Sequence, residues 1–166
     1  DDMYLEYDDQ LKFELQQAID TCFSKEDFER ESSNIKNLEK KITLKHFQAC
    51  ELIMKKNKNV KIDIIGFHGQ TILHKPQDGY SIQIGDSKLL SKLTNTTVVS
   101  NFRENDILNG GQGAPLVPIY HQLILSNIKS KPPYALINIG GISNITYIDE
   151  CDELVGYDTG PGNYLI

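Results

Sequence analysis

Glycine and proline are confined to the later part of this 166-residue chain. All twelve glycines and all six prolines lie between Gly66 and Gly162, and residues 1–65 contain neither. Glycine permits positive φ angles and proline ends helices, so a segment that lacks both can form long helices without interruption. The sequence therefore predicts a helical first third and a turn-rich remainder, with the change near residue 60.

Two amphipathic helices are predicted in the first third. Apolar residues recur mostly at three- and four-residue steps over residues 4–23, with charged and amide side chains between them. A second, longer helix is predicted over residues 33–58, and it ends in the lysines Lys55, Lys56 and Lys58. These lysines complement the negative end of the helix dipole, so a solvated helix end explains them better than a binding patch.

Short apolar segments follow, and they have the length and composition of β-strands. The first is apolar on both faces at Ile62, Ile64 and Ile65, as in a central strand covered by helices. Residues 86–93, with Asp86 near the N-cap, and residues 115–126 are predicted helices between the strands. This alternation predicts an α/β fold with a mixed sheet. The predicted strands are residues 60–67, 80–84, 96–100, 135–139, 144–148 and 154–157.

A domain boundary is predicted where two prolines follow Lys131 and interrupt the chain before a new strand pair. Residues 1–131, which contain both long helices and the first three strands, would form one domain. Residues 132–166 would begin a second. The chain opens with Asp1 rather than Met, so we expect it to be part of a longer polypeptide.

The charge balance argues against nucleic acid and membrane partners. Residues 1–65 carry 14 acidic and 11 basic side chains and residues 66–166 carry 9 and 6, a net charge of −3 in each part. Such a chain lacks the basic surface that binding to a phosphate backbone requires. Every apolar run is also far shorter than the roughly 20 residues of a membrane-spanning helix.

Cysteine usage predicts a cytoplasmic protein. The three cysteines are odd in number and distant in sequence, and no secretory signal opens the chain. No group of cysteines and histidines has the spacing of metal ligands, so no metal site is predicted.

The first candidate binding loop follows the first predicted strand. It contains His68 and Gln70, framed by Gly66 and Gly69. Strand ends are where α/β folds place ligands, and these two side chains can donate hydrogen bonds to a polar substrate. A strand-end turn with a hydrogen-bonded histidine explains the pattern equally well.

A second candidate combines Arg103 with the glycine-rich residues Gly111, Gln112 and Gly113. Arginine suits a carboxylate or phosphate, although an ion pair with Asp106 is an equal alternative. Glycines before a proline-led helix can present backbone N–H groups to an anion or hydroxyl. The segment lacks the lysine and the hydroxyl residue of a Walker A loop.

The last two candidates lie near the end of the chain. A Gly-Gly turn joins two predicted strands, with the polar residues Asn138, Ser143 and Asn144 close to it; the pattern fits a plain hairpin or one that binds phosphate. Asp158 is predicted at a strand end, held in a turn rich in glycine and proline, where a carboxylate is well placed as a general base. Capping of a helix that follows is the alternative role for Asp158.

Six strings in a fixed order resemble the anhydro-N-acetylmuramic acid kinases of bacterial cell-wall recycling. The resemblance covers about residues 62–166, whereas the first third is similar only in position and helical character. Each string is modest evidence, but their shared order and spacing are specific. The strings are GFHGQTILHKP, SIQIGD, VVSNFREND, GGQGAPLVP, INIGGISNIT and GYDTGPGN.

The resemblance implies the two-domain, ribonuclease H-like fold of sugar kinases and actin-like ATPases, with a sugar-side and an ATP-side domain. It implies that ATP and water convert the anhydro sugar to N-acetylmuramic acid 6-phosphate, with Asp158 as the general base. Asn138, Gly140, Gly141, Ser143 and Asn144 would contact the ATP phosphates. The sugar-side residues would be His68, Gln70, Arg103, Gly111, Gln112 and Gly113, with Arg103 on the lactyl carboxylate.

The departures from the family are a missing N-terminal strand pair, similar to SGTSxDGxD, and most of the ATP-side domain. We therefore expect Mg²⁺ ligands outside this chain and no kinase activity from the 166 residues alone. A homodimer is what the resemblance implies for the assembly. The alternatives are a non-catalytic truncated remnant or binding module of this fold, and a related kinase acting on another sugar or small acid.

Overall fold

The computed structural model describes residues 2–128 and 131–163. It divides into two compact units, Asp1–Leu108 and Asn109–Ile166. The domain boundary near Lys131 stays a prediction. No helix in the described part is both long enough and apolar enough to cross a membrane.

Three helices open the first unit: α1 (Asp9–Thr21), α2 (Lys25–Arg30) and α3 (Ser32–Lys56). The two long helices were predicted, but α1 begins later than residue 4 because the Asp8 carboxylate accepts a hydrogen bond from Leu11 N at 2.9 Å and caps the helix. The short α2 was not predicted. The core packs apolar residues of α1 and α3 against β-strands, and comprises Leu11, Leu15, Ala18, Cys22, Ile35, Leu38, Ile42, Ile72 and Ile84.

Two small sheets complete the first unit. Strands β1 (Ile64–Gly66) and β4 (Thr97–Val99) pair in parallel, and β2 (Gln70–Lys75) pairs antiparallel with β3 (Tyr80–Ile84). A short 3-10 helix, Pro76–Asp78, joins β2 to β3. Helix α4 (Ser87–Thr94) lies between β3 and β4, and α5 (Phe102–Leu108) follows β4.

The covered central strand that was predicted around Ile62, Ile64 and Ile65 is wrong for the described residues. Strand β1 contains only the last part of that segment and pairs with β4 alone. Ile64 is 59% exposed, so the face of β1 that carries it is not covered by the described residues.

The second unit is one antiparallel sheet with a helix on it. The sheet order is β5 (Tyr134–Ile139), β6 (Ile142–Ile148) and β7 (Leu154–Pro161). Helix α6 (Pro118–Leu125) packs on one face, where His121 Nδ1 lies 2.7 Å from Oγ1 of the fully buried Thr146. The predicted α/β class is confirmed, and within the described residues parallel and antiparallel pairing occur in separate sheets.

Helix α6 begins later than the predicted residue 115. A helix starting there would put Pro118 at a position whose N–H must bond to a carbonyl one turn earlier, and proline has no N–H. Starting at Pro118 removes that conflict, because the first-turn N–H groups have no partner within a helix.

Candidate functional site

His68 and Arg103 meet at the carboxyl ends of two parallel strands. Gly66 at the end of β1 is in register with Val99 at the end of β4, and Phe67 N donates to Val99 O at 2.8 Å. The residues that follow the two strands therefore lie side by side. Arg103 Nε donates to His68 Nε2 at 2.9 Å, so the structure brings these two predicted site residues into direct contact.

The loop that carries His68 is closely packed. Gly69 has φ +70°, and a Cβ atom there would lie 2.5 Å from the carbonyl oxygen of Ile84, so this position requires glycine. The Phe67 side chain is 3% exposed and lies against Gly85. Gln70 is half-buried in the first position of β2, opposite Ile84.

Helix α3 holds the chain beside this loop through two polar side chains that were not predicted. The Glu39 carboxylate accepts from Gly85 N at 3.1 Å, and Thr43 Oγ1 accepts from Asp86 N at 2.9 Å. Thr43 is fully buried. A polar pair four residues apart on a helix face was the sequence signal for these contacts.

The glycine-rich segment of the second unit does not lie directly at a helix N-terminus. Because α6 begins at Pro118, four residues separate it from Gly113, so the predicted row of helix N-terminal N–H groups is not formed there. Gly113 is buried, whereas Gly111 is half-buried and Gln112 is exposed.

The Gly-Gly turn forms the hairpin between β5 and β6, as predicted. The carbonyl of Gly140 accepts from Asn163 N at 2.7 Å, and that of Gly141 accepts from Gly162 N at 2.8 Å. In a trans peptide the C=O and N–H point in opposite directions. The N–H groups of Gly141 and Ile142 therefore point away from residues 162 and 163. The sequence did not predict that residues 162 and 163 donate hydrogen bonds to this turn.

Three predicted site residues form one row across the second sheet. Asn138 on β5 is opposite Asn144 on β6, and Asn144 is opposite Asp158 on β7. Directly paired residues point to the same face of a sheet, so the three side chains lie on one face. Ser143 is the next residue on β6, where the pairing with β7 shifts.

The predicted position of Asp158 at a strand end is wrong. Strand β7 continues to Pro161, so Asp158 lies inside the strand and caps no helix within the described residues. Pro161 is tolerated because β7 is the edge of the sheet, where a missing N–H breaks no ladder on the open side. Asp158 is exposed, and Thr159 Oγ1 donates to Ser143 O at 3.1 Å.

Asn144 carries an orphaned polar atom. Its Oδ1 is buried and has no hydrogen-bond partner among the residues that the structure describes. A buried acceptor without a donor costs free energy, and such atoms often mark a binding site. Over residues 2–128 and 131–163, no three side chains of His, Cys, Asp or Glu are arranged to hold a metal ion.

Known proteins resemble this chain over nearly its whole length. Residues 5–166 match the family described as "Anhydro-N-acetylmuramic acid kinase". The protein of that name from Pelagibacter ubique is 48% identical over 99% of this chain and 44% of its own length. The one from Agrobacterium fabrum is 41% identical over 98% of this chain and 45% of its own length.

A third relative with the same name, from Rhodopseudomonas palustris, is 45% identical over 77% of this chain and 35% of its own length. The chain thus spans less than half the length of these curated relatives. Its mixed α/β structure is part of the sugar-kinase and actin-like ATPase fold. The chain belongs to the anhydro-N-acetylmuramic acid kinase family.

Proposed function

We propose that the complete protein containing this chain is an ATP-dependent kinase for 1,6-anhydro-N-acetylmuramic acid. The kinase would open the anhydro bridge and phosphorylate O6, giving N-acetylmuramic acid 6-phosphate. Family membership supports the reaction class. The single observation that carries the site is the row in which Asp158 lies beside Asn144 and Asn138, because it places a carboxylate next to polar groups on one face of a sheet.

Asp158 is the proposed general base. Its carboxylate would take a proton from a water molecule while the water oxygen bonds to the anomeric carbon C1 of the sugar. The C1–O6 bond breaks in the same process, and O6 receives the phosphoryl group. An exposed side chain on a strand that is paired with β6 suits this role, because the base must reach a bound substrate while its backbone is held in place.

The hairpin is the proposed site for the nucleotide phosphates. The backbone N–H groups of Gly141 and Ile142 point to the same side, because the carbonyl groups of the same two peptides accept hydrogen bonds from residues 162 and 163. Backbone N–H groups arranged in this way bind anions. Ser143 and the amides of Asn138 and Asn144 lie beside them and fit the same ligand. Bound ATP would supply the phosphoryl group. The ligands of Mg²⁺ are proposed to lie outside this chain, as the family resemblance implies, and no step is assigned to the ion.

The sugar side of the site would be formed by His68, Gln70, Arg103 and the segment Gly111, Gln112 and Gly113. Arg103 is the proposed partner of the lactyl carboxylate, since a guanidinium binds a carboxylate through charge-assisted hydrogen bonds. We further propose a cytoplasmic enzyme of cell-wall recycling that acts as a homodimer.

A substrate panel tests this function. The complete protein is incubated with ATP and with anhydro-N-acetylmuramic acid, N-acetylmuramic acid and simpler anhydro and reducing sugars, and products are identified by mass. We expect phosphorylation of the anhydro amino sugar with the gain of one water. Turnover of a different sugar or small acid alone would favour the related-kinase alternative. No turnover of any substrate would favour a non-catalytic protein.

A further inference from the structure

We propose that His68 is a positioning residue, which acts on the substrate by holding the guanidinium of Arg103 in place. This inference rests on the proposed function, in which Arg103 binds the carboxylate of the sugar. His68 would do so as the neutral imidazole with its proton on Nδ1. His68 lies in the loop that follows β1, and Arg103 lies in the first turn of α5, which follows β4.

The hydrogen bonds of His68 specify its tautomer. Its Nδ1 lies 2.9 Å from the carbonyl oxygen of Gly69, and a carbonyl oxygen can only accept, so Nδ1 must carry a proton. Its Nε2 accepts from Arg103 Nε at 2.9 Å and must therefore hold a free electron pair. Only the neutral ring with a proton on Nδ1 satisfies both bonds.

The contact orients Arg103 because the guanidinium is planar. Fixing Nε–H on a ring nitrogen sets the direction in which one edge of the planar group points and restrains the long side chain before any ligand arrives. A ligand carboxylate then meets an ordered partner and loses less conformational entropy on binding. His68 thus strengthens substrate binding without contributing to the chemical step.

The backbone of the loop holds His68 in place. The Gly69 carbonyl that receives its Nδ1–H belongs to a residue whose φ of +70° and close approach to Ile84 O leave little room for movement. The Phe67 side chain on the other side is buried. Because this loop is rigid, the hydrogen bonds between Gly69 and His68 and between His68 and Arg103 restrict the movement of the guanidinium.

A nuclear magnetic resonance experiment tests the tautomer without any substrate. Long-range ¹H–¹⁵N spectra of the complete protein distinguish a protonated ring nitrogen from one with a free electron pair, and the His68→Gln variant assigns the signals. We expect protonated Nδ1 and unprotonated Nε2 for His68. A proton on Nε2, or equal population of both tautomers, would overturn the proposal.

Kinetics of the complete protein test the role. Replacing His68 with Phe keeps a ring but removes the acceptor, so the KM for the anhydro sugar should rise about tenfold or more while kcat changes little. His68→Gln restores an acceptor oxygen and should recover most of the affinity. The control His74→Phe changes an exposed histidine of β2 and should leave KM unaltered.

A double-mutant cycle separates positioning from a structural role. In an Arg103→Lys background, His68→Phe should add little further loss of sugar affinity, because the group that it positions is gone. Additive losses, or a fall in kcat at unchanged KM, would overturn the proposal. If the unmodified complete protein does not turn over the anhydro sugar, the proposed function fails, whereas the tautomer experiment still decides whether the His68–Arg103 contact exists.

Discussion

Asn144 on β6 and Asp158 on β7 lie directly opposite each other, and Asn138 on β5 extends the pair into a row. The carboxylate proposed as the base and the amides proposed for phosphate thus share one face of one sheet. A sheet fixes the spacing of such residues more firmly than separate loops do. The row gives the proposed function a geometry that substitutions can test.

We expect that Asn144 contributes to nucleotide binding and that its buried oxygen lowers the free energy of unfolding. Replacing it with Leu, which has the same branched side-chain skeleton, removes the buried oxygen that has no partner in the described structure. We expect the free energy of unfolding of the chain to be unchanged or higher by about 1 kcal/mol, while nucleotide affinity of the complete protein falls. Chemical denaturation and calorimetry measure the two effects. A loss of stability would show that the oxygen has a structural partner.

Gly69 should tolerate substitution much less well than Gly79. Both residues have positive φ, +70° and +79°, but a Cβ atom at Gly69 would meet Ile84 O at 2.5 Å, whereas one at Gly79 would meet nothing within 4 Å. Gly79→Ala should cost only the backbone strain, about 1–2 kcal/mol. Gly69→Ala should cost roughly 1–3 kcal/mol more because the loop must shift. Equal denaturation midpoints for the two variants would contradict this packing.

The partly buried hydrogen bond between His121 and Thr146 should hold α6 on the second sheet. Thr146→Val keeps the shape but leaves the ring nitrogen without its partner at 2.7 Å, at a cost of about 1–3 kcal/mol. The control Thr97→Val lies at an exposed position of β4 and should change stability by less than about 0.5 kcal/mol. Urea denaturation compares them. A harmless Thr146→Val would mean that this bond contributes nothing to the docking of α6.

Cys151 should react with a thiol reagent before Cys22 and Cys50. Burial raises the pKa of Cys22 and of Cys50, so a smaller share of each is thiolate in the folded chain than after unfolding at the same pH. Cys151 is exposed. At about pH 8 we expect one thiol to react rapidly with a thiol reagent, and the others to react at that rate only in denaturant. Loss of the rapid phase in Cys151→Ser identifies it; persistence of that phase would contradict the order.

Local sequence signals predicted the regular elements well where one signal dominated. Strand β3 at residues 80–84 and the N-cap of α4 at Asp86 follow from strand composition and a capping residue. Strand β2 and helix α5 were not predicted, because the glycines on either side of His68 and the polar residues around Arg103 indicate loops. Tertiary pairing with β3 and the packing of Ile107 outweighed those signals.

The site depended on contacts that no local pattern contains. The resemblance assigned His68 and Arg103 to the sugar side, but only the parallel pairing of β1 with β4 brings their side chains together. Likewise, the register of three strands, and not the spacing in the chain, aligns Asn138, Asn144 and Asp158. Register is a property of the folded sheet, so the sequence alone indicated the residues and not their arrangement.

The most direct test of the central claim is the turnover of anhydro-N-acetylmuramic acid by the complete protein with Asp158→Asn. The substitution keeps the size of the side chain but removes the proton acceptor, so kcat should fall about 10²- to 10⁴-fold. Glu150→Gln, an exposed carboxylate between β6 and β7, is the matched control and should keep full activity. An Asp158→Asn protein that retains the rate of the unmodified enzyme would contradict the proposed role of this residue.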